Sequence, residues 1–156
     1  MSRTTFMQRA VAIALEKMRA NSGGPFGAVI VRNGEIIAEG WNQVTSANDP
    51  TAHAEVVAIR QACARLDTFQ LSDCEIYASC EPCPMCLGAI YWSRFRCVYY
   101  ANTRAEAAQI GFDDDFIYRE IGLDPAARSI PALRLKTEDS DQPFAEWAEK
   151  PDKTAY

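Results

Sequence analysis

The chain has 156 residues, 48% of them apolar and 24% charged, which suits one globular domain and excludes a disordered or low-complexity chain. No apolar run approaches the ~20 residues that span a bilayer, which excludes a helical membrane protein. The formal charge of −5 lies wholly in residues 111–156, with 11 acids against 6 bases, while residues 1–110 balance at 10 each; with no basic excess to grip phosphates, a nucleic-acid partner is not expected.

Residues 4–20 form an amphipathic helix, with Phe6, Ala10, Ile13, Ala14 and Met18 at spacings of three to five. Gln8, Arg9, Glu16 and Lys17 interrupt the apolar residues at helical spacing, so this segment is not a signal peptide. A cytoplasmic location follows as an expectation, and the six cysteines are expected to be reduced. Asn21 to Pro25 break the helix. "FGAVIVRNGEIIAEGWN" is a hairpin turning at Asn33-Gly34, a preferred type I′ pair. Asp49-Pro50 signals a helix start, Asp as N-cap and Pro first in the helix, and the helix continues through "TAHAEVVAIRQACARL". Cys74 to Ser79 is a buried strand, Pro82 and Pro84 open a further helix, and Arg96 to Ala101 is another strand. "TRAEAAQI" is a short helix, Ile130 to Leu135 a candidate edge strand, and "DQPFAEWAEKPDKTAY" a short helix with a tail. Alternating strands and helices predict a three-layer α/β/α sandwich around one mixed sheet of about five strands, a single domain over 1–156.

The chemistry concentrates in "ASCEPCPMCLGAIYW", where Cys83 and Cys86 form a Cys-x-x-Cys. A redox dithiol is one reading, since a helix start stabilises a thiolate, but such motifs normally follow the first strand of a small domain. A structural zinc site needs four protein ligands; no second pair exists, and Cys80 is the best candidate for a fourth. Cys63, Cys74 and Cys97 read as small core hydrophobes. The only histidine, His53, lies 30 residues before Cys83, with Glu55 two positions after it. Two helix starts facing each other would gather one imidazole and two thiolates around a metal, leaving one position open and one carboxylate free. That is a catalytic zinc arrangement, and His-x-Glu followed by Pro-Cys-x-x-Cys is the pattern of zinc nucleobase deaminases. Zinc lowers the pKa of its water towards ~7, and Glu55, kept off the metal, takes the water proton, delivers a proton to a ring nitrogen as hydroxide attacks, and then helps protonate the departing amine.

With "GGPFGAVIV", "NDPTAHAEV", "SCEPCPMCLGAIYW", "GFDDDFIY" and the aromatic tail ending in Tyr156, nearly the whole chain resembles the bacterial guanine deaminases of the cytidine deaminase-like superfamily. The resemblance implies one zinc per chain on His53, Cys83 and Cys86, and hydrolysis of guanine at C2 to xanthine and ammonia. It also implies a homodimer that exchanges its tails, residues 137–156. Carried onto this sequence, Phe26 and Trp92 line the base pocket, Asn42 hydrogen-bonds the purine, and Ala54 joins the substrate contacts. Asp114 accepts from the guanine N1 and amino edge and acts as a second proton shuttle, and Tyr156 of the partner subunit closes the pocket. Guanine's adjacent donors suit a carboxylate, whereas adenine offers an acceptor at N1. From the residues alone, Asp113 to Asp115 also read as a solvated acidic turn, Phe26 and Trp92 as core, and Asn42 as a turn residue. A tRNA adenosine deaminase, a guanosine or other aminopurine or aminotriazine deaminase, and a zinc-stabilised binding module are the competing readings.

Overall fold

The computed structural model describes residues 1–156. Helix α1 (Arg3–Arg19) is followed by the hairpin β1 (Gly27–Arg32) and β2 (Glu35–Trp41), then by a single turn of helix, α2 (Val44–Ala47), and by α3 (Ala54–Leu66). Next come β3 (Cys74–Cys80), α4 (Pro84–Trp92) and β4 (Cys97–Asn102), then α5 (Arg104–Gln109), α6 (Asp115–Ile121), a 3-10 turn at Pro125–Ala127 and α7 (Gln142–Glu149). The chain divides into two compact units, Met1–Asp115 and Phe116–Tyr156.

The first unit holds one mixed sheet of four strands in the order β2-β1-β3-β4. β1 is antiparallel to both β2 and β3, and β3 runs parallel to β4 through the α4 crossover. Positive φ at Asn33 (51°) and Gly34 (80°) is what a type I′ turn demands. The register then shifts between Ile30 and Val31, a bulge that adds twist to the hairpin. Side chains alternate across β1. Val29 and Val31 join Phe6, Ala10, Ile13 and Tyr77 under α1. Ala28 and Ile30 join Ile76, Ala54, Ala58 and Ala62 of α3, and Ile90 of α4, on the other face. Three layers result.

Tyr77 organises the α1 side. Its ring lies 5.3 Å from that of Phe6 and stacks on Tyr99 at 4.8 Å, contacts each worth about 0.5–1.5 kcal/mol beyond burial. Its buried hydroxyl donates to Glu75 Oε2 at 2.8 Å, and Arg96 binds the other carboxylate oxygen at 2.6 Å.

Small residues decide how near the helices come. Gly40 pairs across the sheet with Ala28, and Ala28 with Ala78. A Cβ on Gly40 would lie 2.2 Å from the Ala54 carbonyl oxygen and 2.7 Å from the Ala58 nitrogen. The start of α3 therefore rests backbone to backbone on β2. Gly27 does the same for α1 on the opposite face, where a Cβ would meet the Ala10 carbonyl oxygen at 2.3 Å.

Two expectations change. The Asp49-Pro50 signal does not open the helix. Asp49 Oδ1 instead accepts the Thr51 N–H at 2.8 Å and hydroxyl at 2.7 Å, a closed turn, and α3 begins four residues beyond Pro50. Ile130 to Leu135 form no strand pairing, so the sheet has four strands and not five. Pro131 has no N–H to offer a ladder. In the second unit α7 falls where the sequence puts a short helix, and no residue of the unit is buried, with Ile130 84%, Leu135 92% and Phe144 81% exposed.

The close approach at Gly40 has a measurable consequence. Gly40→Ala is expected to cost about 2–3 kcal/mol, the upper part of the usual overpacking range, because the opposing atoms are backbone. Gly88→Ala, with open space around its Cβ inside α4, is expected to be neutral or to gain about 0.5–1 kcal/mol. Urea midpoints compare the two, and equal midpoints would contradict the packing described.

Candidate active site

His53 is the N-cap of α3 and sits in extended backbone at φ −70°, ψ 156°. Cys83 occupies the same place before α4 at φ −67°, ψ 168°, with Pro84 at the first helical position, where the missing N–H costs nothing. The third residue of α4, Cys86, turns back towards both and is fully buried. Cys83 Sγ lies 3.5 Å and Cys86 Sγ 3.6 Å from His53 Nδ1. All three donor atoms fall within 4.8 Å of one another.

This geometry fits zinc. Bonds of about 2.3 Å to sulfur and about 2.0–2.1 Å to nitrogen at tetrahedral angles put N and S about 3.6 Å apart, as found here. The donor set fits too. The Cys83 thiol is lowered to about 4, first because the Cys86 thiol hydrogen-bonds to it, with His53 adding to the effect. The same bond, with burial, pushes Cys86 far up. Without a cation the two sulfurs thus compete for one proton, whereas a divalent ion accommodates both as thiolates. The N-terminal ends of α3 and α4 add positive potential on the same side.

Glu55, second in α3, is buried, and its Oε2 accepts from Cys86 Sγ at 3.3 Å. It stays outside the ligand set. Burial raises its carboxyl pKa, the change that suits a group meant to pick up and release protons near neutrality. Cys80, the candidate fourth ligand, turns its sulfur to the Thr103 carbonyl at 3.7 Å and is not in the cluster. Three protein ligands leave a tetrahedral ion one open position, as catalytic zinc sites do.

The other sequence-named residues are placed unequally. Asn42 is buried at the end of β2, and its Oδ1 accepts from Gly24 N at 3.4 Å and Val44 N at 3.3 Å. That leaves its amide as the donor end. Gly23 makes this rim possible, since a Cβ there would sit 1.6 Å from the Asn42 carbonyl oxygen. Ala54 is buried as the first residue of α3, where the N–H has no intrahelical acceptor. Phe26 is half-buried at the start of β1. Of the three aspartates, Asp113 accepts from the Asp115 N–H at 3.0 Å and is exposed. Asp114 is half-buried and within electrostatic reach of His53 and Cys83; burial, then the Cys83 charge, raises its pKa. Trp92 ends α4, 64% exposed beside Arg94, roughly 9 Å of helix beyond Cys86. The chain itself does not bring Trp92 to the cluster. Tyr156 is exposed at the end of the second unit.

Phe112 was not singled out by the sequence, yet it meets Phe26 edge to face, centroids 4.8 Å apart at 89°. Its signal is a helix stop. Gly111 (φ 93°) follows α5, its N–H bonds to the Ala108 carbonyl at 3.1 Å, and the Phe112 N–H bonds to Ala107 at 3.0 Å. This is a Schellman cap, which regularly carries an apolar residue after its glycine.

One zinc per chain is therefore expected in the purified protein by elemental analysis. Cys83→Ser and Cys86→Ser should lose it, whereas Glu55→Gln should retain it. The ligands bind as thiolates and neutral imidazole, so zinc affinity should fall as pH drops through their titrations. A Cys86→Ser protein with full zinc would contradict the assignment.

Comparison with known proteins agrees with this geometry. The cytidine and deoxycytidylate deaminase zinc-binding region matches residues 1–102. Guanine deaminase of Bacillus subtilis (strain 168) is 54% identical over 156 residues, covering 100% of both chains. The X-ray structure of guanine deaminase from that organism superposes with a TM-score of 0.98 at 54% identity, over 100% of this chain and 99% of that one. A tRNA-specific adenosine deaminase of Agrobacterium fabrum is 41% identical over 103 residues, 63% of this chain and 64% of that one. Three ligands spaced for zinc, an off-metal glutamate and a match through all four strands lead to one conclusion: the chain belongs to the cytidine and deoxycytidylate deaminase family.

Proposed function

We propose that the protein is a zinc-dependent guanine deaminase, converting guanine and water to xanthine and ammonia. One observation carries the choice within the family. The likeness to the Bacillus subtilis guanine deaminase runs through all 156 residues, including "GFDDDFIY" and the second unit, whereas that to the Agrobacterium fabrum tRNA-specific adenosine deaminase covers 63% of the chain. The acidic C-terminal third also disfavours an RNA substrate.

His53, Cys83 and Cys86 would hold the zinc, which when bound would acidify a water from 15.7 towards about 7. Glu55 takes a proton from the attacking water and delivers it to a ring nitrogen of guanine as C2 is attacked. As the new C2 hydroxyl becomes the xanthine carbonyl it gives up its proton, and Glu55 helps carry this second proton to the departing amine, because amide ion is a very poor leaving group. Asp114 accepts from the N1–H and amino donors and acts as a second shuttle for the proton that moves from the C2 hydroxyl to the leaving amine. Asn42 donates its amide to an acceptor on the purine, Ala54 offers its N–H, and Phe26 stacks on the ring.

We place Trp92 in the lining of the base pocket and Tyr156 of the partner subunit over its mouth. The exposed apolar residues of the second unit support a homodimer in which the C-terminal tails, residues 137–156, are exchanged, each closing the other's pocket and excluding water. Cysteines that must serve as free ligands are most readily kept reduced in the cytoplasm, which supports a cytoplasmic location.

Ammonia release from guanine, guanosine, adenine and cytosine tests the substrate, with guanine expected to be turned over and adenine and cytosine not. Glu55→Gln should abolish turnover while keeping zinc, and near-normal activity in that protein would sink the mechanism. Asp114→Asn should cost two or more orders of magnitude, within the range of a general acid–base group, with Asp113→Asn nearly silent. For the exchange, a Glu55→Ala chain with an intact tail is refolded together with a Glu55 chain lacking its last residues. Activity should return in mixed dimers; folded, mixed and silent dimers would overturn the exchange.

A further inference from the structure

Glu81 stands in the middle of "SCEPC" and takes no part in holding the metal. Its backbone continues the sheet, N–H to the Asn102 carbonyl at 2.8 Å. Its side chain crosses to the next helix, where Oε2 accepts the Arg104 N–H at 3.0 Å. Arg104 is the first residue of α5, so this N–H has no acceptor inside the helix. The adjacent end is closed by Thr103 and Glu106, whose side chains cap each other's N–H at 3.3 and 2.7 Å. α5 has six residues, too few to persist without such ties. Ala107 is its one buried side chain, and Ala107 also receives the Phe112 N–H that ends the helix. From there the chain reaches the Phe26–Phe112 contact and, two residues on, Asp114.

We infer that Glu81 is a positioning residue for Asp114: its carboxylate anchors the start of α5 to the strand that leads into the zinc loop, and α5 with its Phe112 cap carries Asp114 to the substrate. The inference rests on the proposed role of Asp114.

Four variants test it with zinc content, kcat and KM: Glu81→Ala, Glu81→Gln, Asp114→Asn and the double variant Glu81→Ala/Asp114→Asn. Turnover of guanine by the parent checks the underlying reading separately, and the variants are then assayed on whichever aminated base the parent deaminates. Glu81→Ala is expected to keep one zinc per chain and to lose about 10- to 100-fold in kcat/KM, the scale of a misplaced catalytic group. Glu81→Gln, whose amide oxygen still accepts the Arg104 N–H, should recover to within about 3-fold of the parent, on the same reasoning of retained geometry. In the Asp114→Asn background the Glu81→Ala change should have no further effect, since residues acting through one another are not additive. Zinc loss from Glu81→Ala would make it a support of the metal loop instead. Full additivity, a Glu81→Gln protein as poor as Glu81→Ala, unimpaired Glu81→Ala, or a silent Asp114→Asn would each overturn the inference.

Discussion

The contact between the start of α3 and strand β2 is the constraint on which the rest of the site depends. It is a contact of backbone on backbone, possible because position 40 has no side chain. It brings the N-cap of α3 down to the level of the sheet, beside the N-cap of α4. From those two places His53 and Cys83 meet without any long or flexible arm, and Cys86 completes the set from within the next turn. Ligands held on helix starts are more rigid than ligands on loops, and the helix ends favour the negative charge that two thiolates bring.

Burial then separates the roles of two neighbouring residues on α3. His53 lies at the N-cap, half-buried, and turns to the cysteines. Glu55 lies two residues on, where the helix has already carried it into the interior against Cys86. The same wall that raises its proton affinity keeps bulk water from competing for its proton. A carboxylate of this kind has no use in a purely structural zinc site, and the outward turn of Cys80 leaves the ion without a fourth protein ligand.

Much of this was legible in the residues. The hairpin was announced by Asn33-Gly34, the α1 helix by its spacing, and the zinc set by two short motifs in the right order, because each of these is fixed by local chemistry. Where the sequence misled, a local signal had two uses. Asp49-Pro50 is a good helix start and an equally good turn, and the Thr51 hydroxyl decides for the turn. Ile130 to Leu135 have the apolar content of an edge strand, but Pro131 weakens any ladder there. Phe112 escaped notice because its position is set by the stop of α5. The choice of Asp114 over its neighbours came from resemblance; in the structure Asp113 is taken up in a turn with Asp115.

The Schellman cap at the end of α5 divides the enzyme into two inheritances. Everything that holds the ion lies before it, within the stretch 1–102 shared with the wider family. Asp114, the carboxylate we propose to meet the base, lies after it, on a segment tethered by one short helix. Chemistry and selectivity are thus written in consecutive parts of the chain. Lengthening or redirecting the segment beyond Gly111 can offer the same hydrolytic centre a different heterocycle without disturbing a single metal ligand, a route by which one ancestral site can diversify its diet.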